Sequence, residues 1–139
     1  MRLAHRISGI AGVVVFLLTG QYLLFRYPDM DWLDTGTRML LRSRHLYILL
    51  AALVNVGIGL YFQASEKPRR RAMQKIGSAL VIVAPWMLTA AFFYEPGRGI
   101  LHTPLSHWAL YLLFAGMMLH ILSRAQRAPQ EAPPDRKER

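Results

Sequence analysis

Long apolar segments alternate with short polar ones along this chain of 139 residues. Four apolar segments stand out, at about residues 7–25, 45–63, 76–94 and 105–122. Each is close to the roughly 20 residues that a helix needs to cross the hydrocarbon core of a bilayer, and none has a charged residue in its central part. The pattern predicts an all-α protein, an integral membrane bundle of four antiparallel helices with short connections.

The chain has room for one folded domain. Residues 1–123 are predicted to form the transmembrane domain. Residues 124–139 are predicted to be a disordered basic tail, because they are rich in proline and charge and almost lack large apolar side chains. In the connection after the first segment, the stretch DMDWLDTGTRMLL predicts a short amphipathic helix on the membrane surface.

Positive charge is distributed unevenly along the chain, whose net charge is +9. With the N-terminus in the cytoplasm, the cytoplasmic pieces hold 12 of the 17 lysines and arginines. Because basic residues stay on the cytoplasmic side, both termini are predicted to be cytoplasmic, and the pattern favours a bacterial inner membrane. The KPRRR run is interpreted as an anchor to anionic lipid rather than a nucleic-acid site. Arg42 and Arg44 are expected to lie among the outer headgroups.

The histidines fall near the ends of the predicted helices and match in depth. His45 and His107 lie near the outer boundary, and His5 and His120 near the inner one. Two imidazoles on neighbouring helices at one depth can bind a haem iron from both sides. We therefore predict a b-type haem at His45 and His107, with His5 and His120 as a second pair. The alternative is that these histidines only contact headgroups or cap helices.

A metal ion is a second interpretation of the outer histidines. His102 and His107 flank a turn, and His45 could supply a third nitrogen to zinc or copper. The chain has no cysteine, so disulfides and thiolate ligands are excluded.

Asn55 and Pro85 lie at similar depths in the second and third segments. Pro85 has no N–H to donate to the carbonyl of Val81, and the bilayer offers no water in its place. The amide of Asn55 can donate to that carbonyl. We predict this interhelical hydrogen bond, a structural role that is favoured over contact with a substrate.

The N-terminal run LAHRISG, Leu3–Gly9, resembles a short signature of the cytochrome b membrane subunits of succinate dehydrogenase, where an HRxSG-type run opens the first membrane helix. His5, Arg6, Ser8 and Gly9 match it. The resemblance implies that Arg6 and Ser8 contact a quinone. It covers only this run. That family has three membrane helices and a haem histidine in an HxxxGxRH motif. In RSRHLYILLAALVNVG, the motif's glycine, four residues after the histidine, and its second histidine are both absent.

The sequence has no nucleophile–base pair, carboxylate dyad or phosphate-binding loop, so we do not predict hydrolase or transferase chemistry. Two functions remain open. One is a haem-binding electron-transfer or quinone-interacting membrane subunit. The other is a non-catalytic structural, accessory or assembly subunit of a membrane complex, with no cofactor. The expected partners are the lipid bilayer, a quinone, and other membrane subunits or a second copy of the chain; nucleic acid is not expected.

Overall fold

The computed structural model describes residues 1–96 and 103–125 of the chain. Over these residues it contains four α-helices, α1 (Arg2–Arg26), α2 (Thr35–Tyr61), α3 (Pro68–Tyr94) and α4 (Pro104–Ala125), and a short 3-10 helix at Met30–Trp32. The predicted all-α bundle of four helices is confirmed. All four helices are long and apolar enough to cross a membrane, as in a multi-pass membrane protein.

The second and third helices begin well before the predicted segments. Asp34 caps the start of α2 by accepting a hydrogen bond from the backbone N–H of Thr37 at 2.9 Å, and the bonds from Thr37 hold the pKa of the Asp34 carboxyl below its usual value. Pro68 occupies the first turn of α3, where its missing N–H costs nothing. The separate surface helix is therefore wrong except for one 3-10 turn, because residues 35–41 belong to α2.

The two ends of the bundle differ in the segments they carry. The end with Arg2, residues 62–67 and Ala125 is called the terminal end. The opposite end, with the connections after α1 and after α3, is called the distal end. The tail predicted for residues 124–139 overlaps α4 at its first two positions, and the rest of it lies outside the described residues.

Close backbone approaches join the helices in pairs, α1 with α2 and α3 with α4, and α2 packs on α3 between the pairs. A Cβ added at Gly116 would lie 2.8 Å from the carbonyl oxygen of Gly77, and one at Gly9 would lie 2.7 Å from the backbone nitrogen of Val56. Such contacts matter because helices in lipid associate by close packing rather than by burial of apolar area.

Three arginines from α1 and α4 cap the C-terminal end of α2. The bonds run from Arg2 Nε to the carbonyl of Phe62 (2.6 Å), from Arg6 Nε to that of Gly59 (3.1 Å), and from Arg124 Nη2 to that of Tyr61. The last carbonyls of a helix lack intrahelical partners and carry the negative end of its dipole, so cations stabilise them. These basic residues therefore have a structural role at the terminal end of the bundle.

Candidate functional site

Asn55 lies fully buried in α2 and uses both of its amide protons. Its Nδ2 donates to the carbonyls of Ala51 and Val81, each at 2.9 Å. Its Oδ1 lies 2.9 Å from Nδ1 of His5. The bond to Val81 is the predicted one: that carbonyl has no intrahelical donor because Pro85 lacks an N–H. Asn55 therefore joins α1, α2 and α3 at one point.

This network fixes the position of a proton on His5. Both partners of Asn55 Nδ2 are carbonyl oxygens, which can only accept, so the amide nitrogen and oxygen cannot be exchanged. Oδ1 must then accept from His5, whose Nδ1 carries the proton. In the neutral ring, Nε2 is left with a lone pair. Among the described residues this buried Nε2 has no hydrogen-bond partner.

His120 of α4 lies directly beside His5. The two ring centroids are 5.9 Å apart, and the rings meet edge to face. Phe62 packs against both, with its centroid 6.4 Å from that of His5 and 5.8 Å from that of His120. His120 Nε2 is 3.2 Å from the hydroxyl of Ser78. We call His5, Asn55, Phe62, Ser78 and His120 the terminal histidine cluster; it contains the second predicted histidine pair.

Two cavities open beside this cluster at the terminal end. One, of about 240 Å³, is lined mainly by apolar side chains and includes His120. The other, of about 350 Å³, is lined largely by polar side chains and includes Arg2. Tyr61, Phe62 and Arg124 line both cavities. The surroundings therefore suit a molecule with an apolar body and an anionic edge.

The first predicted haem pair is not brought together. The His45 ring stacks on Phe16 of α1, with centroids 4.1 Å apart, and its Nδ1 lies 3.0 Å from the hydroxyl of Thr19. His107 is exposed on α4 and bonds to Thr103, whose carbonyl oxygen is 2.7 Å from its Nδ1. The His45 ring thus faces α1, whereas His107 bonds within the start of α4 and borders a cavity between α2 and α4.

The predicted metal site and the predicted quinone contacts involve other residues. The zinc or copper site needs His102, which lies outside the described residues, and the described part of the chain has no group of three histidines or carboxylates that could hold a metal ion. Arg6 is exposed and bonds to the end of α2, whereas Ser8 is buried and its hydroxyl has no hydrogen-bond partner in the part of the chain that the structure describes. Two residues apart on a helix, they face different sides of α1, and their contact with a quinone stays a prediction.

A buried ion pair at the distal end was missed by the sequence analysis. Arg44 Nε lies 3.1 Å from Glu95 Oε2, and the two side chains are only 1% and 5% exposed. Glu95 also caps α4 by accepting from the backbone N–H groups of Leu105 (2.7 Å) and Ser106 (3.1 Å). The expectation that Arg44 lies among headgroups is wrong, because its side chain is buried within the bundle and pairs with Glu95. The sequence contained one sign of this burial, an arginine directly before an apolar segment.

Replacing Asn55 by leucine is expected to destabilise the bundle by about 1–2 kcal/mol, because the Val81 carbonyl and the His5 N–H lose their partners. Pro85→Ala restores an N–H four residues after Val81, so the N55L/P85A variant should lose less than the two single variants combined. Unfolding midpoints in detergent measure both effects. Strictly additive losses would contradict the link between Asn55 and the freed carbonyl.

No family model matches this chain, and neither the curated proteins nor the solved structures compared with it contain a match.

Proposed function

We propose that this chain is a small multi-pass membrane protein that binds a b-type haem between His5 and His120 and transfers single electrons. The observation that supports it is Nε2 of His5, a buried lone pair that no described residue contacts by a hydrogen bond and that lies beside a second histidine ring. A buried acceptor left unpaired costs stability, and native proteins seldom leave one so. An imidazole with a bare Nε2 and a held Nδ1–H is the form in which histidine binds a metal.

The two rings lie close enough together to hold one ligand. His5 would hold the iron through its bare Nε2, and His120 would hold it through its own Nε2 after releasing the Ser78 hydroxyl. The His5 and His120 centroids are 5.9 Å apart. The rings also come from α1 and α4, which have no extensive backbone contact with each other. A flat macrocycle can therefore lie between these helices without separating a packed pair.

The charges around the cluster fit the same ligand. Haem has an apolar ring and two carboxylate side chains. The apolar cavity borders His120, and the neighbouring polar cavity borders Arg2 and Arg124. Arginine pairs well with carboxylates at a partly exposed site. The two cavities thus offer an apolar surface for the haem ring and neighbouring cations for its carboxylates.

Bound haem supplies reversible one-electron chemistry at its iron. The surrounding residues of the chain hold the histidine ring in place and limit the access of water. Asn55 holds the proton on Nδ1 of His5, which stops the ring from turning and makes Nε2 a stronger donor. Phe62 is buried against both rings and keeps water from them. The cluster thereby favours electron transfer over reactions that need bound water.

We infer further that the protein lies in a bacterial inner membrane with both termini in the cytoplasm. The support is the excess of lysine and arginine in the pieces near the terminal end, including the KPRRR run. In this orientation the terminal histidine cluster lies near the cytoplasmic surface. An electron partner would then approach from the cytoplasm or along that side of the membrane.

The test is a reduced-minus-oxidised difference spectrum of the full-length protein, purified in detergent from haem-replete cells. The wild-type protein is expected to show the α band of a b-type haem at close to one haem per chain. His5→Ala and His120→Ala should each abolish most of this band, because each removes one ligand. His45→Ala and His107→Ala are the matched controls and should retain it.

Circular dichroism of each variant separates loss of haem from loss of fold. A folded wild-type protein without an α band would overturn the proposal in favour of a cofactor-free structural bundle. An α band that survives in His5→Ala and His120→Ala but disappears in the control variants would assign the haem to the other histidine pair.

A further inference from the structure

The guanidinium group of Arg44 has donors that nothing in the described chain uses. Its Nε reaches both Glu95 and Ser106, the latter through the hydroxyl oxygen at 3.3 Å. Its Nη1 and Nη2 are buried and have no hydrogen-bond partner within residues 1–96 and 103–125. These two nitrogens carry four N–H bonds, and a buried guanidinium normally has acceptors for them. No acceptor for these donors comes from the described residues of the distal end, which lies far from the terminal histidine cluster.

A cavity of about 120 Å³ lies against this arginine, between α2 and α4. Arg44 forms part of its wall, together with Tyr47 and the hydroxyl-bearing Ser43. Leu40 and Leu110 line it as well. Ser43, Tyr47 and Leu110 are each half-buried, so the cavity opens to the surface of the bundle. It offers hydrogen-bond donors at one side and an apolar surface at another.

The charge at this site selects the kind of ligand. The carboxylate of Glu95 already balances Arg44, and its oxygens also accept from the start of α4. A further anion would lie close to this carboxylate and be repelled by it. A neutral acceptor such as a carbonyl oxygen meets no such repulsion and would satisfy the free N–H groups. Since α2 and α4 both belong to the membrane-crossing part, an apolar molecule can enter from the lipid.

We propose that Arg44 and the adjoining cavity bind a neutral, membrane-soluble carbonyl compound, with a quinone ring as the representative of this class. The carbonyl oxygen accepts from the guanidinium, and the ring lies against Leu40, Tyr47 and Leu110. This site is separate from the terminal histidine cluster and does not depend on a haem there. It also differs from the quinone contacts that the N-terminal run implies, which lie at the other end of the bundle.

The test is isothermal titration calorimetry of the full-length protein in detergent with 2,3-dimethoxy-5-methyl-1,4-benzoquinone. Saturable binding of one molecule per chain is expected, and p-xylene, which has the ring but no carbonyl, should bind at least tenfold more weakly. Leu110→Phe fills the cavity without touching the ion pair and should weaken quinone binding tenfold or more. Leu112→Phe is the matched control, because it makes the same change on another side of α4.

A second variant removes the donors while keeping the charge balance. R44M/E95Q loses the guanidinium and the carboxylate together, and it too should bind the quinone at least tenfold more weakly. Absence of saturable binding to folded wild-type protein, or equal binding by Leu110→Phe and wild type, would overturn the proposal. Binding of benzoate or phosphate in place of the quinone would overturn the assignment to a neutral ligand.

Discussion

The Glu95→Ala variant is expected to lose about 3–5 kcal/mol of folding free energy, the cost of leaving a buried charge without its partner. The side chains of Arg44 and Glu95 are only 1% and 5% exposed, so water cannot replace the missing carboxylate. The start of α4 would also lose its cap, because Glu95 accepts from the N–H groups of Leu105 and Ser106. A lower midpoint of thermal unfolding in detergent would show the loss.

Asp31→Ala is the matched control for this variant. The Arg38–Asp31 pair has the same nitrogen–oxygen distance of 3.1 Å, but the Asp31 side chain is 94% exposed. Water and salt screen such a pair, so no measurable change in the unfolding midpoint is expected. R44M/E95Q removes both charges, keeps an oxygen to cap α4, and should recover much of the stability. Equal effects of the two single variants would contradict the burial of Arg44.

The Gly116→Ala variant is expected to lose about 1–3 kcal/mol, the usual cost of forcing an extra methyl group into a packed contact. The new Cβ would lie 2.6 Å from Val81 Cγ2 and 2.8 Å from the carbonyl oxygen of Gly77. The buried, β-branched side chain of Val81 has little freedom to turn, and the backbone of Gly77 cannot move without shifting α3. The substitution therefore pushes apart α3 and α4, one of the two tightly packed helix pairs.

Gly57→Ala provides the comparison for this prediction. No atom lies within 4 Å of a Cβ added at Gly57. Alanine also favours helix more than glycine does, so stability should stay the same or rise slightly. Both variants can be followed by the same unfolding measurement in one detergent. Equal losses at the two positions would mean that α3 and α4 do not approach as closely as the glycine contacts require.

Hydropathy located the four helices along the chain but not their full lengths. An apolar run reports the thickness of the membrane core, whereas the end of a helix depends on local chemistry. Asp34 and Pro68 are good signals for helix starts, and each stands next to polar or basic turns that hydropathy excludes. Weighing these caps together with hydropathy would have placed α2 and α3 close to their observed starts.

The bond between Asn55 and Val81 could be predicted because its cause is local. A proline removes one N–H at a fixed offset, and the freed carbonyl of Val81 needs a donor at the same depth. Two further steps follow only from the three-dimensional arrangement. The side chain of Asn55 also reaches His5, and His5 lies beside His120. The proton position on His5 could not be deduced without these contacts.

Depth alone could not decide between the two histidine pairs. His45 and His107 match in predicted depth as well as His5 and His120 do, but His45 packs against α1 and His107 bonds to Thr103 instead. The rotation of each helix is set by close contacts such as the approach of Gly20 to the His45 ring, where an added Cβ would lie 3.2 Å from Cε1. A single sequence contains no direct record of which glycine meets which side chain.

Residues of both α1 and α4 cap α2, so the terminal end can form only in the order in which these helices are synthesised. Ribosomes deliver α4 last, so a nascent chain of three helices has neither Arg124 at the carbonyl of Tyr61 nor the ring of His120 beside His5. The terminal end closes only when translation has passed α4. A prosthetic group that needs both rings can therefore be bound only after α4 has been synthesised and has packed beside α1.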